Sequence, residues 1–387
     1  MKALILSMYK YPDGFAETVR MHYIAKLFQR NGYEVIIVAR GECTEFKMKE
    51  YDGISYLSLR GSRNGRLNKL FDFIWFTKHI KHVINDNGPF DAILVMTIPT
   101  STLIYVKRFA KEKRIMLLHD SVEWYSHEQF RFGRISLEYR KKEFWMKHLI
   151  DNGFKIIAIS KYLEDYFKEK KMVVARIPVI MDVTGVSKNK KVFDSKITIL
   201  YAGSPGKKDY LSIVIEGLAL LESEELINIK LVVAGVTKEQ LCKICGVDQQ
   251  VIDRLGDSLQ FLGRISRDKV IEALEFADFT VLLRSPTQRY AKAGFPTKVV
   301  ESLASGTPVI CNLTSDLSDY IKDKINGIIV SECTAESFAE SLRRAEKLTF
   351  EERKAMCEEA HQSAVKYFDY RLYQSALAEL IVKNKEG

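Results

Sequence analysis

The residues best placed to do chemistry lie in Gly294-Phe-Pro-Thr-Lys-Val-Val-Glu-Ser-Leu-Ala-Ser-Gly306. Pro296 suits a first helical turn and Gly306 a C-terminal stop, so a short bounded helix is expected between them. Lys298, Glu301 and Ser305 fall at spacings of three and four on one side, while Val299, Val300 and Leu303 can turn toward a sheet. The first amides of such a helix, its dipole and the charge of Lys298 offer a phosphate site, and Glu301 one turn further in can accept hydrogen bonds from sugar hydroxyls. A surface Lys298–Glu301 pair worth about 0.2–0.5 kcal/mol would have the same spacing. A second loop favours the ligand: Tyr201-Ala-Gly-Ser-Pro-Gly-Lys-Lys-Asp209 is a Gly-rich strand-to-helix turn with Lys207 and Lys208, expected at the same edge of the same sheet. Together the two loops suggest a diphosphate held between them.

These loops need a scaffold, and the apolar pattern supplies one. Short apolar runs at 3–8, 35–39, 92–96, 115–118 and 156–159 alternate with amphipathic segments, as parallel strands buried on both faces do. Ile24, Leu27 and Phe28 form a helical stripe between the first two runs, and Asn31-Gly32 stops it. A polar stretch around Lys188–Lys191 marks a linker. A second series of strands follows at 197–202, 229–234, 259–262, 279–283, 309–311 and 328–330. The expected fold is α/β, with two facing Rossmann-like, doubly wound parallel-sheet domains and ligands at the carboxyl ends of the strands in an interdomain cleft.

Composition narrows the class. The net charge of +9 calls for an anionic partner. Two stretches, 60–82 and 131–147, interleave Arg and Lys with Phe and Trp and are candidate membrane-surface contacts, although Phe73, Phe76 and Ile80 have the spacing of a buried helix face. No apolar run reaches the roughly 18 residues of a membrane span, and the apolar start is too short for a secretory signal, so a cytoplasmic location is expected, peripheral at the inner leaflet if the basic stretches engage it. The scattered cysteines read as reduced thiols, with no metal site and no resident cofactor. No nucleic-acid module is recognisable. The single-glycine turn at Asp13-Gly14 is too sparse for a dinucleotide fingerprint.

Taken together the chain resembles glycosyltransferase family 4, of GT-B architecture. The carriers are Asn31-Gly-Tyr-Glu-Val35, Leu118-His-Asp120, Ala158-Ile-Ser-Lys161, Tyr201-Ala-Gly-Ser-Pro-Gly-Lys-Lys208, Phe261-Leu-Gly-Arg264, Gly294-Phe-Pro-Thr-Lys-Val-Val-Glu301 and Ser305-Gly-Thr-Pro-Val309. The resemblance implies a first domain over 1–184 that receives the acceptor, joined by a returning helix within 370–387, and a nucleotide-sugar domain over 185–369. It implies retaining, metal-independent, hexosyltransferase-like transfer from a nucleotide-diphosphate sugar, UDP-sugar favoured, to a saccharide or lipid-linked acceptor in bacterial cell-surface polysaccharide synthesis. Glu301 would hold the ribose, and Lys208 and Lys298 would neutralise the leaving diphosphate, where preorganised charge lowers the barrier. Gly14, Gly203, Lys207, Arg264, Gly294 and Phe295 complete the donor candidates. His119 is the candidate for the reacting sugar, and Arg20, His22, Asp120 and Glu123 are acceptor-side candidates. In one respect the chain departs from the family: the first of its two motif glutamates falls at Ala293, which places sugar identity in question. The competing reading is an inactive GT-B relative that binds a nucleotide-sugar or a partner protein.

Overall fold

The computed structural model describes the chain outside residues 15, 42–46, 61–65, 187–195, 206–207 and 383–387, and describes side chains outside 60–74. The expected linker residues Lys188–Lys191 therefore lie outside the described residues. The chain divides into two compact units, Met1–Met181 with Tyr370–Gly387, and Asp182–Asp369.

The first unit is built on an eight-stranded sheet. Its strands are β1 (Lys2–Lys10), β2 (Glu34–Gly41), β3 (Lys49–Tyr51), β4 (Ile54–Arg60), β5 (Ala92–Val95), β6 (Met116–Ser121), β7 (Lys155–Ala158) and β8 (Val174–Arg176). They are ordered β3-β4-β2-β1-β5-β6-β7-β8, parallel throughout except for the antiparallel β3–β4 pair at the edge. Each apolar run expected in this half became a strand, and the reason is burial: Ala3, Leu4, Ile5 and Leu6 are all wholly enclosed, so both faces of β1 must be apolar. The edge hairpin escaped that pattern because β3 is exposed along its length. Its turn, Asp52-Gly53 with both residues at positive φ, is nevertheless a signal present in the sequence.

The helix Ala16–Arg30 buries Ile24, Leu27 and Phe28 and ends at Gly32, whose φ is +80°. The closing helix Gln374–Val382 is fastened to this unit by Lys155, whose Nζ donates to the carbonyls of Leu380 (2.8 Å) and Ile381 (3.3 Å). A lysine there satisfies carbonyls that the helix itself cannot.

The second unit carries β9 (Ile197–Ala202), β10 (Ile229–Ala234), β11 (Leu259–Gly263), β12 (Phe279–Leu282), β13 (Val309–Cys311) and β14 (Gly327–Ile329). The order is β11-β10-β9-β12-β13-β14, all parallel. In register, Ile199 stands beside both Leu231 and Phe279. The chain winds outward in one direction from β9 and then in the other from β12, so the β9/β12 boundary is a topological switch point. The β1/β5 boundary plays the same part in the first unit. Loops leaving the carboxyl ends of strands diverge there and open a crevice.

Candidate functional site

At the β9/β12 switch point a buried carboxylate gathers two cations. Asp209, 5% exposed, takes Lys298 Nζ on Oδ2 at 2.5 Å and Arg284 Nε on Oδ1 at 2.9 Å. The Tyr201 hydroxyl donates to the same Oδ2 at 3.0 Å, and Lys298 Nζ lies 4.3 Å from the centre of the Tyr201 ring. Burial works against the charge on Asp209, but the ammonium and the guanidinium outweigh it and hold the carboxyl below the ordinary aspartate range. Burial likewise pulls Lys298 below the ordinary lysine range, with Asp209 opposing. Gly203 directly follows β9 with φ at +144°, and a Cβ on it would come within 2.5 Å of Lys298 Cε. Only glycine both takes that backbone and leaves room for the lysine.

Lys298 comes from the helix Thr297–Ala304, where Val299, Val300 and Leu303 are fully buried as expected. Pro296 caps this helix from outside its first turn, and the backbone N–H groups of Thr297 and Lys298 make no hydrogen bond among the described residues. Glu301 stands one turn on. Its Oε1 lies 3.4 Å from Arg267 Nη2, and burial raises its carboxyl above the ordinary glutamate range against the pull of Arg267 and Lys298. The alternative of a Lys298–Glu301 surface pair is not what forms: Lys298 pairs with Asp209 and Glu301 with Arg267. Ala293 ends a preceding short helix, Arg289–Ala293, and is wholly buried. Its neighbour Lys292 is exposed.

The other donor candidates divide. Gly294 is buried, and its N–H donates to the Tyr290 carbonyl at 3.0 Å. The side chain of Phe295 is a correction: it packs edge-on to Tyr320 and against Phe368, at ring distances of 5.5 and 5.8 Å, and turns inward rather than to a ligand. The backbone carbonyl of Lys208 accepts the Tyr290 hydroxyl at 2.7 Å, while Lys207 lies outside the described residues. Arg264 is exposed after Gly263. Gly14, in the first unit, is held by close approach: a Cβ there would stand 2.8 Å from Thr18 Cβ.

At the β1/β5 switch point a cavity of about 270 Å³ opens, lined among others by Tyr9, Thr97, His119, Glu123, Tyr125 and Trp145. His119 Nδ1–H donates to the Val95 carbonyl at 3.0 Å, and burial lowers its pKa, so the ring is neutral with Nε2 as an acceptor. Trp145 meets it edge-on at 5.5 Å. The Tyr125 hydroxyl is bonded to Glu123, and burial raises its pKa. Burial also pushes Tyr9 up to about 12.

Two acceptor-side candidates are instead structural, and a third is shared. Arg20 meets Asp120 through Nε at 2.9 Å and Nη2 at 2.7 Å and donates also to the carbonyls of Ile177 and Pro178, so four of its five N–H donors are engaged within the unit. Asp120 borders the cavity, but its carboxylate is the partner of that guanidinium. His22 Nε2–H donates to Asp52 Oδ2 at 3.0 Å and its Nδ1 accepts from the Tyr11 hydroxyl at 2.9 Å, which clamps the edge hairpin to the first helix.

The basic stretches also differ. In the helix Arg66–Asn87, Phe76 and Ile80 are buried as a core face, whereas Trp75 is exposed beside Lys78. Between 131 and 145 no residue is buried. Glu138, Lys141 and Lys142 of the helix Leu137–Phe144 wall the cavity, while Phe132, Ile135 and Leu137 stand outward at 63%, 77% and 82% exposure among Arg131, Arg134 and Arg140. Among the described residues no helix is long and apolar enough to cross a membrane.

Known proteins share this architecture. Residues 184–363 match the family model of glycosyl transferases group 1. The lipopolysaccharide 1,2-N-acetylglucosaminetransferase of Salmonella typhimurium is 22% identical over 266 residues, 65% of this chain and 68% of that protein. The sucrose-phosphate synthase structure of Thermosynechococcus elongatus superposes with a TM-score of 0.76 at 15% identity, covering 99% of this chain and 98% of that one. Anabaena HepE, solved in complex with UDP, gives 0.68 at 17% identity over 99% and 100% of the two chains. The fold is of the GT-B type, with a group 1 glycosyl transferase domain in the second unit. The chain is a glycosyltransferase.

Proposed function

We propose that the chain moves a sugar, with retention of configuration and without a bound metal, from a nucleotide-diphosphate sugar to a saccharide or lipid-linked acceptor in bacterial cell-surface polysaccharide synthesis. The observation that carries the reading is the convergence at one switch point of the Gly203 turn, the amides of Thr297 and Lys298, unbonded among the described residues, the Lys298 ammonium and, one turn on, Glu301. The diphosphate would lie across the turn and the helix end, with Lys298 and Lys208 compensating the charge that grows as the glycosidic bond breaks. Glu301 would accept from the ribose hydroxyls. UDP is favoured because HepE, of the same fold, was solved with it. Retention and metal independence rest on the resemblance of Gly294–Glu301 and Tyr201–Lys208 to family 4, and envelope synthesis on the name of the Salmonella relative. His119, neutral and accepting through Nε2, would receive a hydroxyl of the transferred sugar. The exposed apolar and basic segment 131–147, with Trp75 and Lys78, would rest on the inner leaflet and bring a lipid-linked acceptor to the cavity that the same helix walls.

Release of nucleoside diphosphate from a sugar-nucleotide panel, with and without acceptor, tests the enzyme against the inactive relative that a buried Ala293 favours. Glu301→Ala should weaken UDP binding on the order of tenfold or more, the value of a hydrogen-bonded charge. Unchanged affinity would remove the ribose assignment.

A further inference from the structure

We propose that Arg284 is a second cation for the donor's diphosphate and that Asp209 is the positioning residue that holds Arg284 and Lys298 as a pair. The inference rests on the donor-site reading above and assigns a residue that no sequence motif marked. Arg284 follows β12, the strand beside β9 in the sheet, so its loop leaves the same edge as the Gly203 turn. The two loops are stitched together: Tyr210 N–H donates to the Leu283 carbonyl at 2.8 Å, and Asp209 and Arg284 form an isolated antiparallel bridge. Asn312 fixes the arginine backbone, accepting its N–H at 2.9 Å and donating to its carbonyl at 2.8 Å. The side chain is thus anchored at its base and at Nε, while Nη1 and Nη2 make no hydrogen bond among the described residues.

Charge and burial give this geometry a direction. Asp209 has 4% of its side chain exposed, Arg284 15% and Lys298 29%, so the carboxylate lies beneath and the cations above it. One buried negative charge against two positive charges leaves an excess cation in a partly desolvated place, where an unmatched charge is costly until an anion arrives. A lysine meets a phosphate as a point charge. An arginine presents a planar fork, and the fork edge left after Asp209 has taken Nε is the edge suited to a phosphate oxygen pair.

The test uses the full-length protein and isothermal titration with UDP and UMP. Wild type should prefer UDP. In Arg284→Gln the UDP affinity should fall on the order of tenfold to a hundredfold, as expected for one charge-assisted contact, while UMP affinity changes by less than about threefold, so the preference collapses. Arg284→Lys, which can keep the ion pair with Asp209 but has no fork, should lose several-fold for UDP and serves if the glutamine variant does not fold. Wild type preferring UDP together with variants that retain both the affinity and the preference would overturn the assignment of Arg284 alone. Wild type that binds none of UDP, GDP, ADP or CDP would overturn the donor-site reading, and this assignment with it.

Discussion

Gly203→Ala is the substitution whose consequences the structure defines most sharply. At φ of +144° an alanine takes on backbone strain of about 1–3 kcal/mol. Its Cβ would also stand 2.5 Å from Lys298 Cε, so the lysine must move. Its ammonium is tied to Asp209, and giving up that charge-assisted bond costs about 1.5–3 kcal/mol. The two costs together are about 2.5–6 kcal/mol, which for a unit the size of Asp182–Asp369 lowers its melting temperature by roughly 5–20 °C. Lys298→Ala removes the atoms that clash. In that background the same glycine substitution should cost the strain alone, giving a coupling energy of about 1.5–3 kcal/mol in a double-mutant cycle. Gly235→Ala is the contrast: at φ of +113° its Cβ would meet the Gly203 backbone, 2.6 Å from the carbonyl carbon, and no side chain can yield there. It should destabilise at least as much, and removal of Lys298 should not relieve it. Urea unfolding of the wild type, the three single variants and the two double variants measures these terms. A Gly203→Ala cost that is the same with and without Lys298 would refute the argument that this glycine exists to admit the lysine.

Asp120→Ala should destabilise the first unit by about 3–5 kcal/mol, because Arg20 is left charged and enclosed; calorimetry of the variant checks it. His119 has its pKa lowered from 6.5 in the fold, so the neutral ring contributes stability that is present above pH 6.5 and is lost as pH falls through the lower folded value. His119→Gln should flatten the acid side of the stability profile in that window and leave it unchanged above. Ile135→Glu with Leu137→Glu should abolish sedimentation with phosphatidylglycerol vesicles while shifting unfolding by less than about 0.5 kcal/mol, since both side chains are exposed.

Most of the sheet framework was legible because burial on both faces forces a continuous apolar run, and β1, β9 and β10 could hardly be read otherwise. The edge strands β3 and β8 carry no such constraint and were missed, and so was β4 inside the sheet, whose apolar residues are broken up by Ser55 and Ser58. In the site, Lys298 and Glu301 were visible because helical spacing links them locally. Asp209 and Arg284 were not: they lie 89 and 75 residues from their respective partners Lys298 and Asp209, and no local rule connects charges that only the strand order brings together. The same distance blindness made Arg20 and Asp120 look like free cleft residues, when each was the other's partner across 100 residues. Phe295 misled for the opposite reason, since it sits inside the most specific motif while its ring serves the core.

The burial of Ala293 has a consequence for redesign. The resemblance to family 4 leads one to expect a glutamate at this position, and here the residue is wholly enclosed in a segment where Tyr290, Ala291 and Gly294 are buried too. Ala293→Glu would carry a carboxylate into an enclosed place, which is costly unless neighbouring residues move with it. Installing a glutamate here therefore calls for concerted changes in the packing around it, not for one substitution.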